Sequence, residues 1–325
     1  MHAHTSSPTH AFIGPGRLAN TMAAAMRRAG LQVAGYVPNP HSEPTTRRFA
    51  PETSLGFQGL RPLSPQALQA VDWVWLTVAD DRIATVAAGI DWQPHQVALH
   101  CSGATDLSHL NAASAAAAIG FHPLQIFSQP EVALANLPGS SVGIEVLAPP
   151  HANTEAQLWQ QASALAASLQ LKPLRIASGQ RALYHAGAGY AASALVSVVA
   201  EACTLWQQAG IAPEQALPAL LPLSQGALHS MRSKGLAHAV AGPVARGDAG
   251  VVQQHMSALN ALSALSSGSA SGDLQPMATS ASQLYQHIAA RQIALLQDQG
   301  LLNQAQIDAL YKALQWPTPA NEATN

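Results

Sequence analysis

Charge is scarce in this chain. Of 325 residues only 10% are Asp, Glu, Lys or Arg, against about 25% in an average soluble protein. The 15 basic and 17 acidic residues leave a net charge of -2, which excludes the basic footprint of a nucleic-acid binder. Lysine occurs only as Lys172, Lys234 and Lys312, and aromatic residues make up 5%. The two cysteines, Cys101 and Cys203, exclude a disulfide framework and point to a reducing, cytoplasmic setting. The first ten residues are polar and His-rich and lack the apolar run of an export signal. Among 14 histidines there is no helical H-x-x-x-H pair, and the cysteines form no C-x-x-C, so no metal site is expected.

Alanine is abundant instead. Sixty-five alanines within a hydrophobic content of 48% predict closely packed helices. The length exceeds what one core usually organises, which favours two domains. One uncharged stretch, residues 182–200, is about long enough to span a bilayer. Its Ala, Gly, Ser, His and Tyr content instead predicts a helix buried inside protein, with no membrane partner.

Short apolar runs at 12–13, 33–37, 73–78, 97–100, 117–121 and 142–147 alternate with helix-like segments such as 18–29 and 83–88. A helix over 154–169 and a strand over 172–176 complete that series, which predicts an α/β domain with a mostly parallel sheet. Beyond Gly179 the segments lengthen and lose strand-like runs. One helix is expected over 181–209, ended by Gly210, and Pro213 starts another. Further helices are expected at 224–234, 249–265, 278–299 and 303–315. The serine-rich stretch 266–272 reads as flexible, and residues 1–10 and 317–325 as disordered.

Phe12-Ile13-Gly14-Pro15-Gly16-Arg17-Leu18-Ala19 places G-x-G-x-x-A between a strand and a helix. Two glycines allow a tight turn and close approach of backbone N–H groups to a pyrophosphate, and the small third residue lets helix and strand pack. The first domain is therefore expected to be a Rossmann-type nucleotide domain over 11–178, followed by an all-helical domain over 179–316. An NAD enzyme usually carries an acid at the end of the second strand, about 20 residues on. Here that end reads Tyr36-Val37-Pro38-Asn39-Pro40, with Arg47 and Arg48 beyond. A neutral Asn39 and two arginines suit a 2′-phosphate, which favours NADP(H) and disfavours S-adenosylmethionine.

Later strand ends face the same crevice in a parallel sheet. Val78, Ala79, Ser102 and Gly103 are expected to border the cofactor, and Asp80 or Asp81 to cap the following helix. Cys101 is expected to pack rather than react. Reducing a C=O or C=N bond needs a proton donor, and His122, Tyr184 and His185 can each serve. No lysine lies on the helix of Tyr184, so a lysine acid there is excluded. Ser193, Arg246, Asp248 and His255 are candidate substrate contacts: Arg captures carboxylate or phosphate, and Asp248 can orient it or cap a helix.

Taken together, His100-Cys-Ser-Gly103, Gly120-Phe-His-Pro-Leu-Gln-Ile-Phe127, Leu183-Tyr-His-Ala186 and Gly242-Pro-Val-Ala-Arg-Gly-Asp248 with His255 resemble the bacterial Rossmann-like proteins carrying the domain of unknown function DUF2520. The resemblance implies an N-terminal NADP-binding domain and a helical 6-phosphogluconate-dehydrogenase-like C-terminal domain that mediates a homodimer. It also implies an oxidoreductase acting on a small molecule. The chain departs from the family at Ala192-Ser193, where Ser-Asn is usual, at Ala241, where Thr is usual, and in a serine-rich insertion before Gln275. The expected function is hydride transfer between NADP(H) and a small, anionic carbonyl or imine compound. The alternatives are a non-catalytic nucleotide-binding sensor or scaffold, and a reductase using a deazaflavin coenzyme.

Overall fold

The computed structural model describes residues 7–38, 54–113, 117–148, 155–267 and 275–316. The chain divides into two compact units, Met1–Ser193 and Ala194–Asn325.

The first unit is built on a seven-stranded sheet: β1 (His10–Ile13), β2 (Val33–Val37), β3 (Trp73–Leu76), β4 (Val97–His100), β5 (Ala117–Pro123), β6 (Ser141–Leu147) and β7 (Lys172–Arg175). The order is β2-β1-β3-β4-β5-β6-β7. Every neighbouring pair is parallel except β5 with β6, a Rossmann-type arrangement.

Because side chains alternate along a strand, each of the central strands β1, β3, β4 and β5 feeds two cores. Phe12, Trp75, Leu99, Ile119 and Phe121 pack with Met22 and Met26 of α1 (Arg17–Arg28) and Leu158 and Leu165 of α5 (Glu155–Ser168). Ile13, Val74, Leu76, Ala98 and Ala118 pack on the other face with Leu68 of α2 (Pro65–Gln69) and Ile83 and Val86 of α3 (Ile83–Ala88). Burial on both faces explains why the strands read as unbroken apolar runs. The scarce aromatics are concentrated in the first core. Phe12 stacks on Trp75 with centroids 5.6 Å apart, and Trp75 meets Phe121 edge-on at 5.4 Å. Truncating Trp75 to alanine there costs about 3–5 kcal/mol.

The parallel strands β1, β3, β4 and β5 end at one edge, at Ile13, Leu76, His100 and Pro123. Two further helices flank this edge: α4 (Pro130–Asn136) and α6 (Arg181–Gly189), the latter followed by a π turn at Tyr190–Ala194. The first unit thus includes α6, and the division falls after Ser193 instead of after residue 178. At the other terminus, Thr9 N and Oγ1 donate to Asp72 at 2.8 and 2.9 Å, and His10 is buried in β1. Thr9 and His10 therefore belong to the sheet and not to a disordered tail. Residues 1–6, 268–272 and 317–325, where disorder or flexibility was expected, lie outside the described residues.

The second unit is helical: α7 (Leu195–Gln208), α8 (Pro213–Lys234), α9 (Leu236–Ala239), α10 (Ala249–Ser267), α11 (Gln275–Asp298) and α12 (Gln304–Ala313). Val252, Met256, Ile293, Leu296, Ile307 and Leu310 form its core. Asn303 caps α12 by accepting from Gln306 N, while the Gln306 side chain accepts from Asn303 N, a complete capping box. The helix expected at 224–234 is the second half of α8, which runs unbroken from Pro213 through Pro218 and Pro222. Both inner prolines are exposed, and their spacing of four residues puts the lost hydrogen bonds on one solvated face.

The stretch 182–200, expected to be buried, is not. The helix Arg181–Gln208 is long and apolar enough to cross a membrane, and none of its most apolar window is buried. Tyr190 and Val196 are 79% and 69% exposed. Composition alone gave no warning, because small apolar helices suit a protein core and a helix–helix interface equally well.

Candidate functional site

After Ile13 the chain turns through Gly14, Pro15 and Gly16 into α1. Gly14 has a φ of +85°, and a Cβ there would lie 2.8 Å from Val78 Cγ1 and 3.1 Å from the Thr77 carbonyl oxygen, so only glycine fits. Thr77 Oγ1 pins the turn by donating to the carbonyls of Ile13 and Gly14 at 3.0 and 2.9 Å. Gly16 is the N-cap of α1, extended and without a side-chain cap. A Cβ there would meet nothing within 4 Å, and Gly16, Arg17 and Leu18 at the start of α1 border open space. Ala19 is fully buried, which lets α1 lie close to the sheet.

Gly16, Arg17, Leu18, Val78 and Ala79 line an open cleft of about 430 Å³, together with Thr77, Phe127 and Ser128. Arg17 Nη1 reaches across to the Ser128 carbonyl at 3.3 Å. The turn that only glycine can make, the uncapped helix start and the cleft fit the pyrophosphate of a dinucleotide. Asn39, Arg47 and Arg48, expected at the 2′-phosphate, lie outside the described residues.

At the same sheet edge, α6 lays one face on the strands. Arg181, Tyr184 and His185 stand at helical positions i, i+3 and i+4, which share a face, and each rests over a glycine. A Cβ on Gly120 would collide with the Arg181 guanidinium, one on Gly143 with the Tyr184 hydroxyl, and one on Gly103 with the His185 ring. The Gly103 Cβ would also lie 3.0 Å from both Cε1 and Nε2 of His122. Nδ1 of His122 is 3.0 Å from the Tyr184 hydroxyl, and the His122 and His185 rings meet edge-on with centroids 5.6 Å apart. The three candidate proton donors are thus gathered beside Ser102 and Gly103.

The electrostatics follow from burial. Desolvation, helped by His185 and Arg181, pushes His122 down to about 4, so its imidazole is neutral near pH 7. Burial raises the Tyr184 hydroxyl, against the pull of Arg181 and of the Gly143 N–H. Arg181 is 1% exposed. It donates to the Ser102 carbonyl, and its Nη1 lies 3.6 Å from Oε2 of buried Glu145. Burial raises the Glu145 carboxyl and Arg181 opposes that shift. His100, fully buried with no hydrogen-bond partner for either ring nitrogen, is driven by burial to about 3. Burial pushes the Cys101 thiol up to about 12, and its side chain packs in the core.

Asp80 does not cap the helix that follows it. Ser102 Oγ is hydrogen-bonded to Asp80 Oδ2 at 2.6 Å and to Thr105 Oγ1 at 2.7 Å, while α3 has no side-chain cap. The carboxylate is drawn to the hydroxyl of the adjacent strand end and ties the ends of β3 and β4 together.

In the second unit, Asp248 Oδ1 accepts from Val251 N at 3.1 Å and so caps α10. Arg246 is exposed and forms no ion pair among the described residues. His255 Nδ1 lies 2.8 Å from the Tyr285 hydroxyl, whose titration burial raises. Ser193 is exposed in the π turn.

Four positions escaped the sequence reading: Arg181, Glu145, Gly120 and Gly143. The two glycines carried a signal, since glycine inside a strand marks a close approach. The Arg181–Glu145 pair carried none, because their separation in sequence is unrelated to their contact.

Residues 151–292 match the family model described as domain of unknown function DUF2520. No curated protein sequence matches the chain. The fold is similar to a Bacteroides fragilis protein given the provisional description of NADP oxidoreductase, at 17% identity and TM-score 0.62 over 89% of this chain and 98% of that one. It is similar to a Thermotoga maritima protein at 21% identity and TM-score 0.61, over 89% and 99%. An NADH-preferring ketol-acid reductoisomerase from an uncultured archean aligns at 12% identity and TM-score 0.60, over 95% and 94%. At such identities the likeness establishes the fold.

Proposed function

From a Rossmann-type unit with an open glycine turn and a DUF2520 match beyond it, we propose that this protein is an NADP(H)-dependent oxidoreductase. Its substrate is a small, anionic carbonyl or imine compound. One observation carries the reading: the cleft at Gly16, Val78 and Ala79 opens at the sheet edge where His122, Tyr184 and His185 converge over Gly103. The similar structure described as an NADP oxidoreductase supports it, and the NADH-preferring ketol-acid reductoisomerase supports a nicotinamide coenzyme. The bound nicotinamide supplies or takes up the hydride.

Gly14, Pro15, Gly16, Arg17, Leu18 and Ala19 hold the pyrophosphate, and Asn39 with Arg47 or Arg48 meets the 2′-phosphate. Val78, Ala79, Ser102 and Gly103 border the nucleoside groups. In this reading Arg246 captures the substrate anion, Asp248 and His255 support that subsite, and Ser193 stands for the polar contact of the family pattern. The second unit acts in a cytoplasmic homodimer. The exposed apolar residues of Arg181–Gln208 favour a covering partner. His185, Glu201, Gln207 and Gln208 on the same helix favour a second copy over lipid, which would leave them unsatisfied. Titration with NADPH and NADH by fluorescence tests the first step. NADPH is expected to bind more tightly, and preference for NADH sinks the 2′-phosphate assignment.

A further inference from the structure

Three side chains stand ready as proton donors, and the contacts of α6 rank them. The Tyr184 oxygen sits over Gly143 and 3.0 Å from His122 Nδ1. A phenol donates more readily than it accepts, and a neutral imidazole offers one ring nitrogen as an acceptor, so the hydroxyl proton turns toward Nδ1. His122 then accepts at Nδ1 and carries its hydrogen on Nε2, one of its two atoms closest to the space above Gly103. His185 meets the His122 ring edge-on, with no hydrogen bond between them.

Arg181 completes the arrangement. Its guanidinium is buried beneath Tyr184's helix turn, donates to the Ser102 carbonyl and faces Glu145 at 3.6 Å. Nε and Nη1 have no hydrogen-bond partner. A buried cation so loosely compensated is costly, and Gly120 is the residue that makes room for it. Such a charge is well placed to stabilise an anion forming beside it.

Resting on the oxidoreductase reading above, we propose that His122 Nε2–H is the proton donor, that Tyr184 replaces this proton through Nδ1, and that Arg181 is the positioning residue stabilising the resulting tyrosinate. As negative charge builds on the substrate oxygen or nitrogen, the Nε2–H bond breaks and the new substrate–hydrogen bond forms. The Tyr184 O–H bond breaks as Nδ1–H forms. His122 remains neutral and changes tautomer. The single negative charge ends on Tyr184 until solvent returns the proton. The groups facing this pair are Arg181 and His185 on α6, Asp80 beyond β3, His100 and Cys101 at the end of β4, and Glu145 on β6.

Full-length protein with isotope-labelled histidine and tyrosine, free of coenzyme, tests this by NMR titration. His122 is expected as the Nε2–H tautomer. In Arg181→Met the Tyr184 and His122 titrations both move up, Tyr184 by about one unit or more, and Arg181→Lys restores them. Glu145→Gln moves Tyr184 down, so the sign remains readable if Arg181→Met does not fold. An Nδ1–H tautomer, or a Tyr184 titration unmoved in folded variants of both residues, overturns the proposal. NADPH titration of the same samples separates the two readings: a wild-type chain that binds no NADPH overturns the function, whatever the tautomer.

Discussion

The Tyr184 hydroxyl on α6 meets Nδ1 of His122 on β5 at 3.0 Å, and this contact joins a helix to the sheet at the edge where β1, β3, β4 and β5 end. Removing only the hydroxyl keeps the ring that packs over Gly143. Tyr184→Phe is therefore expected to fold normally and bind NADPH as the wild type does, while kcat falls by about 10²–10⁴-fold, the usual weight of a proton-transfer group. Because the loss lies in the transition state, KM changes little. Steady-state kinetics with any turned-over oxo acid or imine decide it, and an unchanged kcat removes Tyr184 from the chemistry.

Gly14 and Gly16 are expected to fail differently. Gly14→Ala forces a Cβ into Val78 and Thr77 at a φ of +85°, so it destabilises the fold by about 1–3 kcal/mol and weakens nucleotide binding with it. Gly16→Ala meets nothing within 4 Å and has an ordinary φ of -81°, so the stability measured in urea falls only by the roughly 1 kcal/mol that an alanine costs at an N-cap. Its methyl group stands where a pyrophosphate would approach, and NADPH affinity should fall about tenfold or more. Normal affinity in Gly16→Ala would place the nucleotide elsewhere.

The glycine turn and the sheet were legible because they rest on local rules. Gly14, Gly16 and Ala19 act through their own φ angles and size, and the strands announce themselves as apolar runs. His122 and Tyr184 were legible as chemistry but not as a pair, since nothing in 62 residues of separation encodes the contact. Arg181 was invisible because its value lies in Gly120, Glu145 and the Ser102 carbonyl, which only the folded sheet assembles. Asp80 was misread for a similar reason: a local cap competed with a neighbouring strand's hydroxyl, and the neighbour won.

Gly120 and Arg181 should behave as one energetic unit. The Cβ of Gly120→Ala collides with the Arg181 guanidinium, and displacing one partner of a buried ion pair costs about 3–5 kcal/mol. In an Arg181→Ala background the obstructing atoms are gone, so the same glycine substitution should cost less than about 1 kcal/mol. The difference is a coupling energy measurable by a double-mutant cycle in urea. Additive costs would mean that Gly120 is required by the strand and not by Arg181.

Acid should unfold this protein through its buried histidines. His100, at about 3 in the fold, and His10 and His122, both at about 4, are pushed down chiefly by burial from 6.5. Between those values the unfolded chain binds protons that the folded chain refuses, so stability is intact above about pH 6.5 and falls as pH drops through the window. Each group contributes about 1.4 kcal/mol per pH unit there, so His100 alone accounts for about 2 kcal/mol lost by about pH 5. His100→Leu removes that titration and two buried nitrogens that have no hydrogen-bond partner. The variant should match or exceed wild-type stability at neutral pH, since an unsatisfied buried polar group is lost, and its stability should fall less steeply in acid. Urea unfolding at neutral and acidic pH measures both limbs, and an acid slope as steep as the wild type's would show that His100 takes up its proton without unfolding the chain.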